Sequence, residues 1–415
     1  MSETSRARAV PMQTKLVKGL AVVVSLAAPG CGDSTSALEA PLSVVRDSVG
    51  ITIVENAMPA AGSRLAWEIG AVPTVSIGTL EGEEAYQLFR VTDALRLEDG
   101  RILVVNRGSN ELKVFDARGT HLASWGGEGE GPGEFTGISE VADWPGDSIM
   151  AFDFSQRRIT VFDSNGVLGR TLLLESTEEI TAPQFRAILP SGRLVVRAGA
   201  IFTAGEVPMG LTRADYMYAS LSAEADDPVL LGAYPGTEAF VMVSPTSMSV
   251  NTHPFGRTTL VTTWGDRLIM SATDSYELRV VDSQGALTNI IRRDQDGASP
   301  TQADLDAYYV ERFADSPLEQ RTQQMAGVTD MPLVGTYPAF SKVMADPPGN
   351  LWVQEYQRPK DERVIWTVFG PDGRILGLVE TPEKLNVFQI GEDYILGSTS
   401  DELEVEYVQM WPIAR

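Results

Sequence analysis

The chain has 415 residues, with 43% hydrophobic content, 38 glycines and 24 prolines: enough apolar material for a large core and enough turn formers for an all-β fold. Its formal net charge is −23; residues 1–30 hold four of the 33 basic residues and one of the 56 acidic ones, so the remainder carries −26. An exterior this acidic excludes nucleic acid and an anionic bilayer as surface-wide partners, and a single cysteine excludes an intramolecular disulfide.

The first thirty residues read as a signal peptide. Arg6, Arg8, Lys15 and Lys18 precede an apolar run over 20–28 that is too short to span a bilayer. The chain continues Ala28-Pro29-Gly30-Cys31. A lone cysteine after small residues resembles a bacterial lipobox, with Pro29 departing from the small residue usual at its place. The resemblance implies that Cys31 becomes a lipidated N-terminus, held in a membrane by more than one acyl chain. Residues 31–45 are then a flexible tether, and the protein is expected outside the cytoplasm, membrane-anchored in the periplasm or at the outer membrane.

From Asp93 onwards one phrase is written twice. Asp93 to Asn106 gives strand, Gly100 turn, strand, and is followed by Leu112-Lys113-Val114-Phe115-Asp116 and Gly119. Val141 to Asp153 repeats it around Gly146, followed by Ile159-Thr160-Val161-Phe162-Asp163 and Gly166. Four short strands per unit of roughly 40–50 residues are the pattern of a propeller blade. A phenylalanine marks six such units: Phe89, Phe135, Phe185, Phe255, Phe340 and Phe388, each followed by a turn at Gly100, Gly146, Gly192, Gly265, Gly349 and Gly391. Apolar second strands follow at 102–105, 149–152, 194–196, 268–270, 351–353 and 394–396. The last unit is one strand short, and spare strands at 51–54 and 74–77 suggest that the N-terminal region completes it and removes the exposed edges.

The Gly-rich run over 127–135, with Gly146-Asp147 and the Arg157-to-Gly166 segment after it, resembles an NHL-type repeat. The whole mature chain, with its propeller over 46–415, is similar to the six-bladed β-propeller lipoproteins of bacteria. This implies an all-β, six-bladed β-propeller outside the cytoplasm; a monomer, closed by an N-terminal strand, is expected. The phenylalanine spacings of 46, 50, 70, 85 and 48 place insertions in the third and fourth units, at 197–213 and 294–336. Both fall on the face where the inner strands begin, the face on which repeat proteins commonly build a binding surface. The larger insertion reads as helical over about 299–329, between the fourth and fifth blades. Ser299 is placed as its cap, Pro300 at the first helical position, and Leu305, Tyr308, Tyr309, Val310 and Phe313 as its apolar stripe. A second short helix is expected from Asp315. The insertion is either a lid over the channel or a packing plug.

The candidate binding residues stand beside the phenylalanines. Arg90, Arg186, Arg257 and Lys342 occupy what the spacing makes equivalent places in four blades, and His253 precedes Phe255. Convergent cations at the channel mouth would suit a carboxylate, a phosphate or an acidic glycan, unless local glutamates and aspartates neutralise them. The function expected is a ligand-binding or protein-interaction module, with an envelope protein as a further partner class. The alternative is a metal-dependent lyase or lactonase-like hydrolase at the same mouth, with calcium as its cofactor. Against it, only His121 and His253 exist, no spaced calcium loop or Gly-x-Ser-x-Gly elbow is present, and 127–133 lacks the lysine and helix of a phosphate loop. No catalytic residue, resident metal or cofactor is assigned from the sequence.

Overall fold

The structure, a computed structural model, describes residues 42–60, 62–199, 209–243, 248–314, 316–326, 328, 330–359 and 361–415. The proposed signal peptide and Cys31 lie outside them, as do Asp315 and most of the first insertion. Residues 43–45, counted with the expected tether, belong to a strand, Ser43–Ser48.

Six antiparallel sheets follow one another along the chain. Blade 1 runs Val91–Arg96, Ile102–Asn106, Glu111–Phe115, His121–Gly126, and blade 2 runs Ile138–Trp144, Ser148–Asp153, Arg158–Asp163, Leu168–Leu173. Blade 3 is Gln184–Ile188, Leu194–Arg197, Asp215–Leu221, Val229–Pro235. Blade 4 is Thr259–Trp264, Arg267–Ala272, Glu277–Val281, Leu287–Arg293, and blade 5 is Phe340–Ala345, Leu351–Glu355, Val364–Phe369, Ile375–Thr381. Blade 6 has three strands of its own, Asn386–Ile390, Tyr394–Ser400 and Glu406–Ala414. Its missing strand comes from the N-terminal region: Val75–Ile77 pairs antiparallel with the last strand, Val408 opposite Ile77. The other spare strand goes elsewhere. Ile51–Asn56 adds in parallel to the outer strand of blade 4, and Ser43–Ser48 pairs outside it.

The ring is held by apolar seams between successive blades. Second strands read as unbroken apolar runs, such as Ile102–Val105, because a neighbouring blade covers each face; all four of those side chains have 0% exposure. Leu103, Val105 and Leu112 of blade 1 meet Phe135, Ile149 and Phe162 of blade 2. Equivalent seams join blades 2 and 3, 3 and 4, 4 and 5, and 5 and 6. A sixth closes the circle, with Leu396 and Val408 of blade 6 packed through Val75 and Ile77 onto Ala94, Ile102 and Phe115 of blade 1. Five of the seven tryptophans, Trp125, Trp144, Trp264, Trp352 and Trp366, are buried in these seams. Fully burying one such side chain contributes about 2–3 kcal/mol, so the seams are the principal source of stability.

Turn chemistry explains the repeat signature. Asp116 Oδ1 accepts from the N–H groups of Arg118 and Thr120, and Asp163 Oδ1 from those of Asn165 and Val167. The glycine three places after each aspartate is left-handed, and at Gly166 (φ 83°) a Cβ would also come within 2.3 Å of Trp125.

The insertion between blades 4 and 5 holds two helices, α1 (Gln302–Arg312) and α2 (Leu318–Ala326). The cap is Thr301 rather than Ser299: its hydroxyl accepts from Asp304 N–H while Asp304 Oδ2 accepts from Thr301 N–H, a closed capping box. Ser299 instead donates to Gly335 O. Leu305 and Tyr309 are buried as the stripe requires, whereas Tyr308 and Val310 are exposed. The helices pack onto a three-stranded sheet that the sequence pattern did not reveal, made of Gly210–Thr212, Ala239–Val243 and Met248–Thr252. Together these form a second core of Phe240, Phe255, Leu305, Tyr309, Met331, Val334 and Tyr337.

Candidate functional site at the channel mouth

The inner strands do not run straight. In five blades the pairing register slips by one residue at the same place, leaving Thr92, Ser139, Arg186, Ser341 and Phe388 as the bulged residues. A bulge re-aims the side chain that follows it. Those following residues are Asp93, Glu140, Ala187, Lys342 and Gln389. Three of them reach the next blade: Asp93 Oδ2 accepts from Val141 N–H at 3.0 Å, Lys342 Nζ donates to Val387 O at 2.6 Å and to Asn386 Oδ1 at 2.9 Å, and Gln389 Oε1 accepts from Arg96 N–H at 2.8 Å. The bulge therefore builds polar rivets around the axis.

Half-buried charges are concentrated there. Burial pushes the Asp93 carboxyl up to about 7, against the pull of Val141 N–H and with Glu140 adding to the rise. Burial likewise pushes Glu140 up to about 7, opposed by Arg186. Lys342 is pushed down by burial and partly restored by Asp93. Arg186 is pushed down by burial and by the charge of Arg197, with Glu140 acting the other way.

Arg186 and Arg197 share one acceptor. Arg186 Nη2 donates to Gln184 Oε1 at 2.7 Å, and Arg197 Nη2 donates to the same oxygen. The Arg197 guanidinium lies 4.2 Å over the Tyr216 ring, and its buried Nε has no partner. Among the described residues Glu140 is the one carboxylate acting on Arg186. Two like charges held by a neutral amide, in a lowered dielectric, repel by a few kcal/mol, and an anion bridging them would remove that repulsion.

The five basic residues singled out in the sequence do not form one ring. Arg90 precedes the blade 1 strand, Arg186 is a bulge residue, Lys342 follows one, and Arg257 lies ahead of the blade 4 strand, so phenylalanine spacing did not align equivalent positions. Arg90 is exposed beside the Phe89 ring at 5.2 Å. Arg257 is held by Glu238, whose Oε2 accepts from its N–H and Nε at 2.8 and 3.0 Å, with Asp274 at 3.5 Å. His253 is buried: Nδ1 accepts from Phe255 N–H, Nε2 donates to Pro332 O at 3.0 Å, and burial pushes its pKa down. That ring fastens the insertion to the second core. What the sequence missed is Gln184, Arg197 and Tyr216, which the pairing of strands brings to Arg186.

The opposite face is acidic. A cavity of about 600 Å³ between blades 1 and 2 is lined by Glu98, Asp99, Asp143 and Asp147, with Arg101 among them. Among the described residues no group of three or more His, Cys, Asp or Glu is arranged to hold a metal.

Comparison with known proteins supports the architecture. Residues 79–175 match a family described as a 6-bladed beta-propeller. A member of the DUF4221 family from Bacteroides vulgatus superposes with a TM-score of 0.51 at 11% identity, over 84% of this chain and 99% of that one. A Bacteroides fragilis protein named for export gives 0.49 at 12% identity, over 88% and 99%. A gluconolactonase of Xanthomonas campestris gives 0.42 at 13%, over 80% and 88%. No curated protein sequence matches the chain. At 11% identity the DUF4221 likeness is one of fold; with the family match over 79–175 and the six successive sheets, it makes the protein a six-bladed β-propeller.

Proposed function

We propose that the protein is an extracytoplasmic, lipid-anchored binding propeller that takes an anionic small molecule or acidic glycan at its channel mouth on Arg186 and Arg197. The observation that carries this reading is the pair of guanidiniums donating to the single amide oxygen of Gln184. Planar guanidiniums suit bidentate contacts to carboxylate or phosphate oxygens, and the Tyr216 ring beneath Arg197 keeps one of them oriented. The charged, then apolar, then Cys31 pattern of the N-terminus supports the location and the anchor.

Calorimetric titration with citrate, phosphate and oligoglucuronate tests the site. Binding of at least one is expected, weakened about tenfold or more by Arg186→Gln or Arg197→Gln and unchanged by Arg90→Gln. No binding by any of the three, or binding indifferent to both substitutions, overturns the reading. Palmitate labelling tests the anchor: incorporation is expected in the parent chain and absent from Cys31→Ser.

A further inference from the structure

We infer that the groove shared by blades 1 and 6, on the face where the inner strands begin, is a docking site for a partner segment that presents an aliphatic or aromatic side chain flanked by lysine or arginine. Three large apolar side chains stand in solvent there: Leu80, Phe89 and Leu403, exposed by 59%, 61% and 72%. Leu80, Phe89 and Leu403 all line one groove of about 360 Å³.

Packing does not require this exposure. Counting back from the bulge, Phe135 of blade 2 and Leu88 of blade 1 hold the same place, three residues before Ile138 and Val91, and both are buried. Phe89 is therefore surplus to the core. It is nonetheless fixed outward: its N–H donates to the buried Asn106 Oδ1 at 2.7 Å, its carbonyl accepts from Gly108 N–H, and Arg90 beside it is left-handed at φ 56°. A Cβ on Gly108 would meet the Phe89 ring at 2.5 Å, so glycine is needed for that placement. Leu80 and Leu403 are held as firmly. Buried Lys113 donates to the carbonyls of Glu84, Ala85 and Gln87 under the first loop, and Asp401 Oδ1 accepts from Leu403 and Val405 N–H in the second. Rigid apolar anchors on a surface cost little entropy when they bind.

Charge selects the partner. Glu81, Glu83 and Glu84 precede Phe89 on the first loop, and Glu402 and Glu404 flank Leu403; all five are exposed, and Glu84 and Glu404 line the groove. Two cations stand nearby: Arg90 is set against the Phe89 ring, and Lys113 lines the groove but is buried, with its Nζ bonded to the carbonyls of the first loop. A second copy of the chain would bring the same glutamates against one another, whereas a basic, apolar segment answers both features.

Selection of a displayed random dodecamer library on the intact mature protein tests this, with counter-selection on Phe89→Ser/Leu403→Ser. Enriched peptides are expected to carry an aromatic or aliphatic residue flanked by Lys or Arg. The strongest, measured by fluorescence anisotropy, should lose about tenfold or more in affinity on that double variant and on Glu84→Lys/Glu404→Lys. Melting temperature and anion binding at Arg186 should be unchanged in both. Enrichment of acidic peptides, absence of any peptide that survives counter-selection, or concentration-dependent self-association that the variants abolish would overturn the inference. Because the two sites are probed by different ligands, failure here leaves the channel-mouth reading standing, and the reverse.

Discussion

At the scale of single residues, Glu140 sets how the channel mouth answers to pH. Its carboxyl is raised to about 7 by burial, and its facing groups are Arg186, and through it Arg197, with Asp93 on the adjoining blade. Above pH 7 the charge of ionised Glu140 attracts Arg186 and competes with an incoming anion; below it that attraction is lost. Affinity for citrate is therefore expected to rise as pH falls from 8 to 6, and Glu140→Gln should weaken that dependence, leaving the part that Asp93 contributes, when both are titrated by calorimetry. Stability follows the same linkage. A carboxyl whose folded pKa lies above its unfolded value near 4 to 4.5 keeps its full contribution below that value and loses it as pH rises to about 7. Glu140→Gln should therefore raise stability at pH 8, by about 3 kcal/mol, and leave it unchanged at pH 4, as read by urea unfolding. The same chemistry was only half legible in the sequence. Arg186 stood out as a cation in an acidic chain, but its partners Gln184, Arg197 and Tyr216 come from strand ends whose pairing no local pattern announces.

At the scale of elements, the legible parts are those with short-range causes. The Asp-to-Gly turns at 116–119 and 163–166 are fixed by the aspartate's own hydrogen bonds, and the capping box of α1 by a three-residue spacing, so both motifs can be read from local sequence even though the cap lies two residues beyond Ser299. The phenylalanine marker misled because it fixes no register: Phe185 and Phe340 sit within the inner strands opposite Val196 and Glu355, while Phe135 precedes its strand. The Ala239–Val243 and Met248–Thr252 hairpin escaped notice because its alternation is irregular and its core partner, α1, lies some fifty residues further on. Long-range polar fasteners were equally silent. Asn56 Nδ2 donates to Arg292 O at 3.0 Å and Gly373 O at 3.1 Å, and its Oδ1 accepts from Ile375 N–H at 2.9 Å, tying the N-terminal strand to blades 4 and 5. Asn56→Ala strands two buried backbone groups and a part-buried one, and should cost about 2–4 kcal/mol in urea unfolding. Between the same blades, Arg293 donates to Glu355 at 2.7 and 2.9 Å, and Tyr276 OH donates to Glu355 Oε1 at 3.0 Å. The Arg293 side chain is 2% exposed, so Arg293→Ala leaves a carboxylate without its counter-charge and should cost about 3–5 kcal/mol.

At the scale of the whole molecule, the two N-terminal strands do different work, and truncation separates them. Ile51–Asn56 thickens the rim of blade 4, whose four strands are complete without it. Val75–Ile77 supplies what blade 6 lacks, and its Val75 and Ile77 side chains fill the seam between blades 6 and 1. Removing residues 42–66 takes away the rim ribbon and the Asn56 fastener but leaves the seam intact. That chain should unfold in one transition at lower denaturant, with a slope close to the parent's, because the ring is still a single cooperative unit. Extending the deletion to residue 80 exposes the edge of Glu406–Ala414 and opens the ring between blades 6 and 1. The remaining five seams then resemble a linear array, whose blades can fray from either end. A broadened transition with a reduced slope is expected for this second chain alone, measured by circular dichroism and tryptophan fluorescence together. If both truncations broadened alike, the rim strand would share in closure; if neither did, the seams alone would hold the ring.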